Sequence, residues 1–539
     1  MLNKKILSIA LSFLVSCDTI AAQAARDSLL LRDYRFVQQS SPWLTQQNAA
    51  ALVRFDKPNM AEAEVSLTHG NGKLTDFSGS PSFTNLLVAV ESYYRINPRT
   101  VVYGAISYNN LSGKDMTGSV FIQQRLPFDI VEDSLANAGR KHRDTYQLTG
   151  AFGYDLYHGY AIGVRADYTA ANYAKYKDLR HQNKLMDLQL TAGLYAPLTT
   201  WLDFGFNYTY YRRTESVSFG TYGKGDKVYK SLIDYGAMMG IVEQFGNEGY
   251  TDKSNEMPLC EDGPGWGLQF AVECAPFSLY NALSFSSGTG YYGRKSPYTI
   301  TYTNHDRDVF TNNLRLAYSP LSHTSRFHLD MHYQSEQLHN RANTYRGLTN
   351  PNGATYYEYY GDTETADKDW RNLNIDYTMD LGIRHELPTW TVTAGYHFLQ
   401  RDITAYLYPY YRQQQLRTHE VTASARRNII TRKGIWGISA HAGYQKGDGN
   451  PYTDGTFVTP SDKQPQPATM ADYLHREYQY LTASQYSVGG SVKYSFRMPG
   501  TQLKIYTGLS ADYRKANERD SYCAGNHHTQ IGVSAGCCF

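Results

Sequence analysis

From about residue 61 to the last residue, apolar and polar side chains alternate with a period of two. Val88, Val90 and Tyr94 are interleaved with Ala89, Glu91 and Arg95. Tyr160, Ile162, Val164, Ala166 and Tyr168 oppose Gly163, Arg165 and Asp167, and Leu202, Phe204, Phe206 and Tyr208 oppose Asp203, Gly205 and Asn207. Leu373, Ile375, Tyr377, Met379 and Leu381 oppose Asn374, Asp376, Thr378 and Asp380, with Arg384 continuing the polar set. The chain ends on Ile531, Val533, Ala535, Cys537 and Phe539 with small or polar residues between. A period of two places successive side chains on opposite faces of a strand. The alternating stretches run roughly 12 to 16 residues, against about five or six for a soluble strand and about nine to eleven for a tilted strand crossing hydrocarbon.

Connections alternate in length. Tight turns fall near Pro98, His158, Pro197, Pro320, Pro388, Lys433 and Gly500, and longer polar loops separate them. Short turns at one mouth and long loops at the other are the pattern of a transmembrane barrel. The expected fold is therefore all-β: one antiparallel transmembrane β-barrel of about 16 strands, within a range of 14 to 18, over residues 61–539. Residues 213–306 read as a large extracellular loop, with Ser231 to Phe245 as a short helix, although the stretch from 215 to 306 leaves room for one more strand pair.

Composition narrows the class. Aromatics make up 14% of 539 residues, with 48 Tyr and 6 Trp, and charged residues only 19%. A formal net charge of +2 gives no electrostatic footprint for nucleic acid. Lys4 and Lys5 followed by apolar Ile6 to Ser16 and by Ala22-Gln23-Ala24 predict a signal peptide over residues 1–24; Leu14-Val15-Ser16-Cys17 also has the form of a lipobox. Either reading exports the chain. Residues 25–60 then form a lead-in before the barrel. Of the cysteines beyond it, Cys260 and Cys274 share the long loop and are expected to be disulfide-bonded in an oxidising compartment, while Cys523, Cys537 and Cys538 are left over.

The candidate chemistry lies on the lumen face. Glu91, Arg165, Asp167, Asp203, Arg315, Asp376, Asp380, Arg384, Lys504 and Asp512 carry both signs, so they either set up a transverse field in a pore or pair to fill a closed lumen. His328 and His332 share a face but lie two pleats apart, about 13 Å, too far to hold one metal ion. No G-x-S-x-G elbow, zinc spacing or nucleophile–base set stands out. No enzyme activity, catalytic residue, metal or cofactor is expected. Tyr356 to Tyr360 and Tyr406 to Tyr411 form two Tyr-rich loops, read chiefly as girdle extensions.

Two segments carry a family likeness. The strand from His528 to the terminal Phe539 resembles the closing strand of bacterial outer-membrane barrels. That resemblance implies Phe539 as the signal read by the barrel-assembly machinery, and the Gram-negative outer membrane, with its lipid, as the location. Asn48-Ala49-Ala50-Ala51-Leu52 is similar to the Asn-(Pro/Ala)-Ala-(Gly/Ala)-Leu segment of the outer-membrane long-chain fatty-acid transporter family and related Bacteroidetes barrels, without its usual Pro. In that family the segment sits inside the barrel ahead of the first strand. The chain as a whole resembles the uncharacterised Bacteroidetes barrel families. Three functions follow as expectations: passive, porin-like passage or binding of a small-molecule cargo, a non-transporting surface-exposed binding or accessory barrel with a closed lumen, and, more distantly, a barrel-embedded hydrolase. A TonB-dependent receptor is not expected, because no folded plug domain precedes the barrel. Oligomeric state is left open.

Overall fold

The computed structural model describes residues 32–127, 129–132, 137–222, 229–245, 257–501, 503–517 and 525–539. The predicted signal peptide, the lipobox cysteine and Cys523 lie outside the described residues. Among the described residues, 18 antiparallel strands form one closed sheet. In chain order they begin with β1 (Met60–Gly72), β2 (Ser82–Asn97), β3 (Thr100–Met116), β5 (Gly139–Tyr157), β6 (Tyr160–Lys175), β7 (Arg180–Pro197) and β8 (Leu202–Gly220). They continue with β11 (Met257–Cys274), β12 (Phe277–Gly293), β13 (Thr301–Tyr318), β14 (Ser325–Thr349), β15 (Thr355–Leu381) and β16 (Trp390–Leu407). The last are β17 (Tyr410–Ile430), β18 (Ile435–Thr456), β20 (Gln485–Arg497), β21 (Lys504–Ala516) and β22 (His527–Cys538). Four further strands, β4 (Asp129–Glu132), β9 (Tyr229–Gly236), β10 (Met239–Phe245) and β19 (Ala468–Thr469), form a separate small sheet.

Closure is made by the terminal strand. β22 pairs with β21 on one side and with β1 on the other, in a register that sets Glu62 opposite Cys538 and His69 opposite Ile531. Ala61 and Phe539 exchange both backbone hydrogen bonds, at 2.7 and 3.0 Å. Each strand thereby has two neighbours, and no edge is left to meet lipid.

The alternation sorts the two faces. Ile106, Leu509 and Val533 are more than half exposed on the outside, as lipid-facing residues must be in a lone chain. Aromatics bracket the apolar belt: Trp436 stacks near Tyr494 at 4.6 Å, and eight residues further along β18 Tyr444 lies 5.0 Å from Tyr486. Those eight residues span about 27 Å of strand. At a tilt of ~40° that is about 20 Å of height, close to the ~25 Å apolar band of transmembrane barrels.

Three expectations are corrected here. The 213–306 stretch is not one extracellular loop: it holds the end of β8, the small-sheet strands β9 and β10, the wall strands β11 and β12, and the start of β13. The expected helix over Ser231 to Phe245 is the β9–β10 hairpin, whose two-residue turn is Ala237-Met238 at φ of 50° and 52°. Cys260 and Cys274 are both free, near the two ends of β11. Fourteen residues of strand separate them by about 46 Å, whereas a disulfide needs Cα atoms within about 7 Å. The added β11–β12 pair, turning at Ala275-Pro276, accounts for a count of 18 rather than 16.

The belt makes a testable prediction. Leu509→Arg, at the middle of β21 on the lipid face, is expected to cost about 2–4 kcal/mol of barrel stability. Urea unfolding of vesicle-reconstituted protein measures it.

Candidate functional site

The lumen is filled from both ends. At the mouth with short turns, the segment ahead of β1 folds back inside. It begins with helix α1 (Tyr34–Ser40), which Asp33 caps by accepting from the Phe36 amide at 3.1 Å. Burial opposes ionisation of Asp33, but Arg426, Lys504 and Lys493 outweigh it and hold its carboxyl below the usual range. Two short 3-10 turns follow, Pro42–Thr45 and Ala49–Arg54.

Asn48 starts the second turn, accepting from the Ala50 amide at 3.1 Å. Its amide nitrogen donates to the Leu194 carbonyl at 2.8 Å and to Gln269 Oε1 at 2.9 Å. Ala49, Ala50, Ala51 and Leu52 are all buried against the wall. Small residues on both sides permit this contact. A Cβ at Gly163 would lie 2.2 Å from the Ala50 nitrogen, and one at Gly193 2.1 Å from Asn48 Oδ1. Trp43 packs edge-on between Tyr195 and Tyr280, with ring centroids 5.2 and 5.0 Å away.

The mouth with long loops is closed by the small sheet, ordered β19-β10-β9-β4, together with helix α2 (Ala471–Thr482). Val120, Phe121, Ile130 and Ile233 pack against the wall residues Val217, Phe219, Leu259 and Tyr292. Ala237 and Met239 pack against Ile403 and Ala405. Tyr473 and Leu474 of α2 join Phe77, Leu232 and Met238. Apolar contact alone does not hold this cap. Arg125 forms a buried ion pair with Glu477 of α2, and Arg401 of the wall reaches the same carboxylate at 3.4 Å. Lys368 of β15 donates to the carbonyls of Arg125 and, at 2.7 Å, Pro127.

Beneath the cap lies a cavity of about 890 Å³, lined by cap and wall residues and by none of residues 32–59. Its wall side carries His397, Glu420, Ser424, His441, Asp512 and Arg514; its cap side carries Thr75, Asp76, Phe121, Gln124 and Tyr480. His397 sits between Asp376 at 3.4 Å and Glu420 at 3.7 Å, and His441 pairs with Asp512 at 3.0 Å. A second space of about 710 Å³ lies at the short-turn mouth, between the plug and β11–β14, lined by Arg54, Glu273, Tyr280, Arg315 and Arg326 among others.

The charged residues singled out from sequence divide by partner. Five meet the plug: Glu91 pairs with Arg35 at 3.2 Å and Asp203 with Arg54 at 3.5 Å. Arg165 donates to the Gln46 carbonyl at 3.5 Å, Arg315 to that of Gln39 at 2.5 Å and Lys504 to that of Arg32 at 2.8 Å. Asp167 grips Arg165 at 2.7 Å, and Asp380 grips Arg326 at 2.8 Å. Asp512 lines the cavity, and Asp376 reaches it only through His397, 3.4 Å away. Arg384 is a correction: β15 stops at Leu381, and Arg384 is exposed on the turn to β16. Sequence reasoning missed Arg125 and Glu477, which lie 352 positions apart, one in a loop and one on α2, between wall strands and outside their alternation.

Residues 49–539 match the profile of the family of unknown function DUF6850, and the chain belongs to that family. No curated protein sequence matches the chain. Among solved structures it is similar to BauA, the ferric preacinetobactin receptor from Acinetobacter baumannii, at 9% identity over 88% of this chain and 80% of that one, with a TM-score of 0.39. It is also similar to the outer membrane transporter YddB from Escherichia coli, at 8% identity over 90% and 81%, with a TM-score of 0.42. A third is the alcaligin outer membrane receptor FauA from Bordetella pertussis, at 10% identity over 88% and 75%, with a TM-score of 0.38.

Two predictions follow from the closures. Gly163→Leu leaves no room for Ala50, so residues 32–59 should leave the lumen. Limited proteolysis of the folded, detergent-solubilised protein should then cut that segment, which the wild type protects. The cap should also respond to pH. Burial raises the Asp129 carboxyl to about 7; Asp234 adds to the rise, while Ser119 and Arg125 oppose it. An acid whose folded pKa is raised keeps its proton in the folded state while the unfolded state loses it. Cap stability therefore falls as pH rises from about 4 to about 7. Hydrogen exchange in β4 and β9, corrected for intrinsic rates, should be faster at pH 7.5 than at pH 5.

Proposed function

We propose that this chain is an outer-membrane barrel that takes a small molecule into its lumen and is closed at rest, rather than a standing aqueous pore. The short-turn mouth then faces the periplasm and the long loops face outward. Residues 1–24 are the export signal and Phe539 the residue read in assembly. The observation that carries the reading is the 890 Å³ cavity beneath the cap, with the plug filling the opposite mouth. Small-molecule sites run about 300–1,000 Å³ and combine apolar lining with a few convergent polar groups. Here Phe121 and Tyr480 face His397, Glu420, His441, Asp512 and Arg514 across that space. The role is binding, and passage where plug or cap yields; no reaction is assigned to the cavity.

The alternative is a surface-exposed accessory barrel that binds outside and never transports. One observation favours it: β14 and β15, of 25 and 27 residues, continue well past the aromatic belt and carry Tyr359 and Tyr360 exposed near their tip.

Planar-bilayer recording separates the two. Wild-type protein should carry no steady current. Gly163→Leu combined with Glu477→Ala removes the plug seat and leaves Arg125 uncompensated, a loss of about 3–5 kcal/mol for a broken buried pair, and should conduct. Steady wild-type current would overturn the closed form. A folded double variant that passes neither ions nor solute would favour the accessory barrel.

A further inference from the structure

Outside the lumen, the β14–β15 hairpin carries a cluster that neither closure uses. On its outward face Phe327, Leu329, Met331 and Tyr333 are apolar or aromatic, and beyond them come Ser335, Gln337 and His339. On β15 the change runs from Leu373 to Arg371, Asp369 and Asp367. His339 therefore stands about 20 Å along the strand from Tyr333, beyond the apolar belt and in reach of water. Asp367 is its direct cross-strand partner.

The third member is placed by a backbone irregularity. Glu364 precedes Asp367 by three residues, so in a regular strand the two would point to opposite faces. The β14–β15 register shifts at this point: Asn340 faces Ala366, but Arg341 faces Glu364. Thr365 is the extra residue, buried, with its hydroxyl donating to the Asn340 carbonyl at 2.9 Å. Bulges of this kind re-aim a side chain, and this one turns Glu364 to the outer face beside Asp367. One ligand atom each of His339, Glu364 and Asp367 then lies within 4.8 Å of the others.

Their charges are not otherwise answered. Asp367 is held by His339 Nδ1 at 2.5 Å and by the Tyr406 hydroxyl at 3.0 Å. The neighbouring Arg341 is committed to Asp306 at 2.5 Å and to Asp362 at 3.6 Å. Among the described residues, no Lys or Arg forms an ion pair with Glu364 or Asp367.

We propose that His339, Glu364 and Asp367 form a divalent metal-ion site, of the donor type that takes Zn²⁺. One imidazole nitrogen and two carboxylate oxygens suit a borderline ion. Zn²⁺ bonds of about 2.0–2.2 Å place tetrahedral ligands roughly 3.4 Å apart. The ion thus takes the place of the proton between His339 and Asp367, opens their 2.5 Å contact to the ligand spacing, binds Glu364 beside them, and keeps a water in its fourth position. It neutralises two like charges and ties β14 to β15 above the lipid belt.

The test uses the full chain folded in detergent, stripped with EDTA, with thiols blocked by N-ethylmaleimide, and titrated with Zn²⁺ calorimetrically at pH 7.5. His339→Ala and Glu364→Gln should each lose one equivalent, or weaken it at least tenfold, while Arg341→Ala keeps it. All three side chains are on the surface, and heat-modifiable gel migration checks that every variant is folded. Unchanged stoichiometry and affinity in His339→Ala and Glu364→Gln would overturn the site. Equal loss in Arg341→Ala would also overturn it: removing a neighbouring cation can only strengthen attraction for Zn²⁺, so a loss there would mark disruption of the bulge rather than removal of a ligand.

Discussion

Hydrocarbon offers no partner for a backbone amide or carbonyl, and the rest of this structure depends on that constraint. Each unsatisfied group would cost several kcal/mol, so every spanning strand needs two hydrogen-bonded neighbours around a closed ring. The ring closes where β22 meets β1, with Ala61 and Phe539 exchanging hydrogen bonds at the last possible residue. The length of the final strand, the two-faced alternation and the parity of the count are consequences of that one seam. Both ends of the barrel sequence lie at the same mouth because an even number of antiparallel strands returns the chain to its starting side.

Closure of the wall creates a second problem inside it. A ring of 18 strands encloses more space than its own side chains fill, and its inward face is polar and charged. This chain fills the space with backbone. The first segment lies in the short-turn end and, among the described residues, four long-loop segments (73–81, 117–132, 229–245 and 468–482) in the other. The charged wall residues then serve as partners. Lys504, Arg315 and Arg165 donate to plug carbonyls, and Glu91 and Asp203 pair with plug arginines. A buried ion pair is weak evidence for net stability. The Arg125–Glu477 pair is better understood as fixing where the 117–132 segment and α2 meet. What the packing leaves open is the cavity beside His397, His441 and Asp512.

Much of this was legible along the chain. The seven tight turns named from Pro98 to Gly500 are all turns between wall strands. Asn48 to Leu52 lies against the inner wall, with Asn48 donating to the Leu194 carbonyl and to Gln269. Two features escaped. The β11–β12 pair was hidden because its lumen face runs through Gly263, Gly265 and Gly267, which blur the alternation, and because Cys260 and Cys274 invite a loop reading. The β9–β10 hairpin was read as a helix because β9 is buried on both faces, within the small sheet and against the wall, which erases the period of two.

The sequence by itself determined the architecture, because lipid outside and polar space inside impose a rule that each residue of a strand obeys locally. It also set which face of each strand turns inward, but not where each strand stops, as Arg384 on its turn shows. Only the tertiary structure decided what those residues do there. Opposed charges on a wall are equally compatible with an open field and with a filled bore. The choice depends on which segments fold inward, and that is set by contacts hundreds of residues apart: Asn48 with Gln269, Arg125 with Glu477, Lys368 with Pro127. No local period encodes such contacts, since each joins an inward-folded segment to a residue of the wall or of another inward segment whose position the closed ring fixes first.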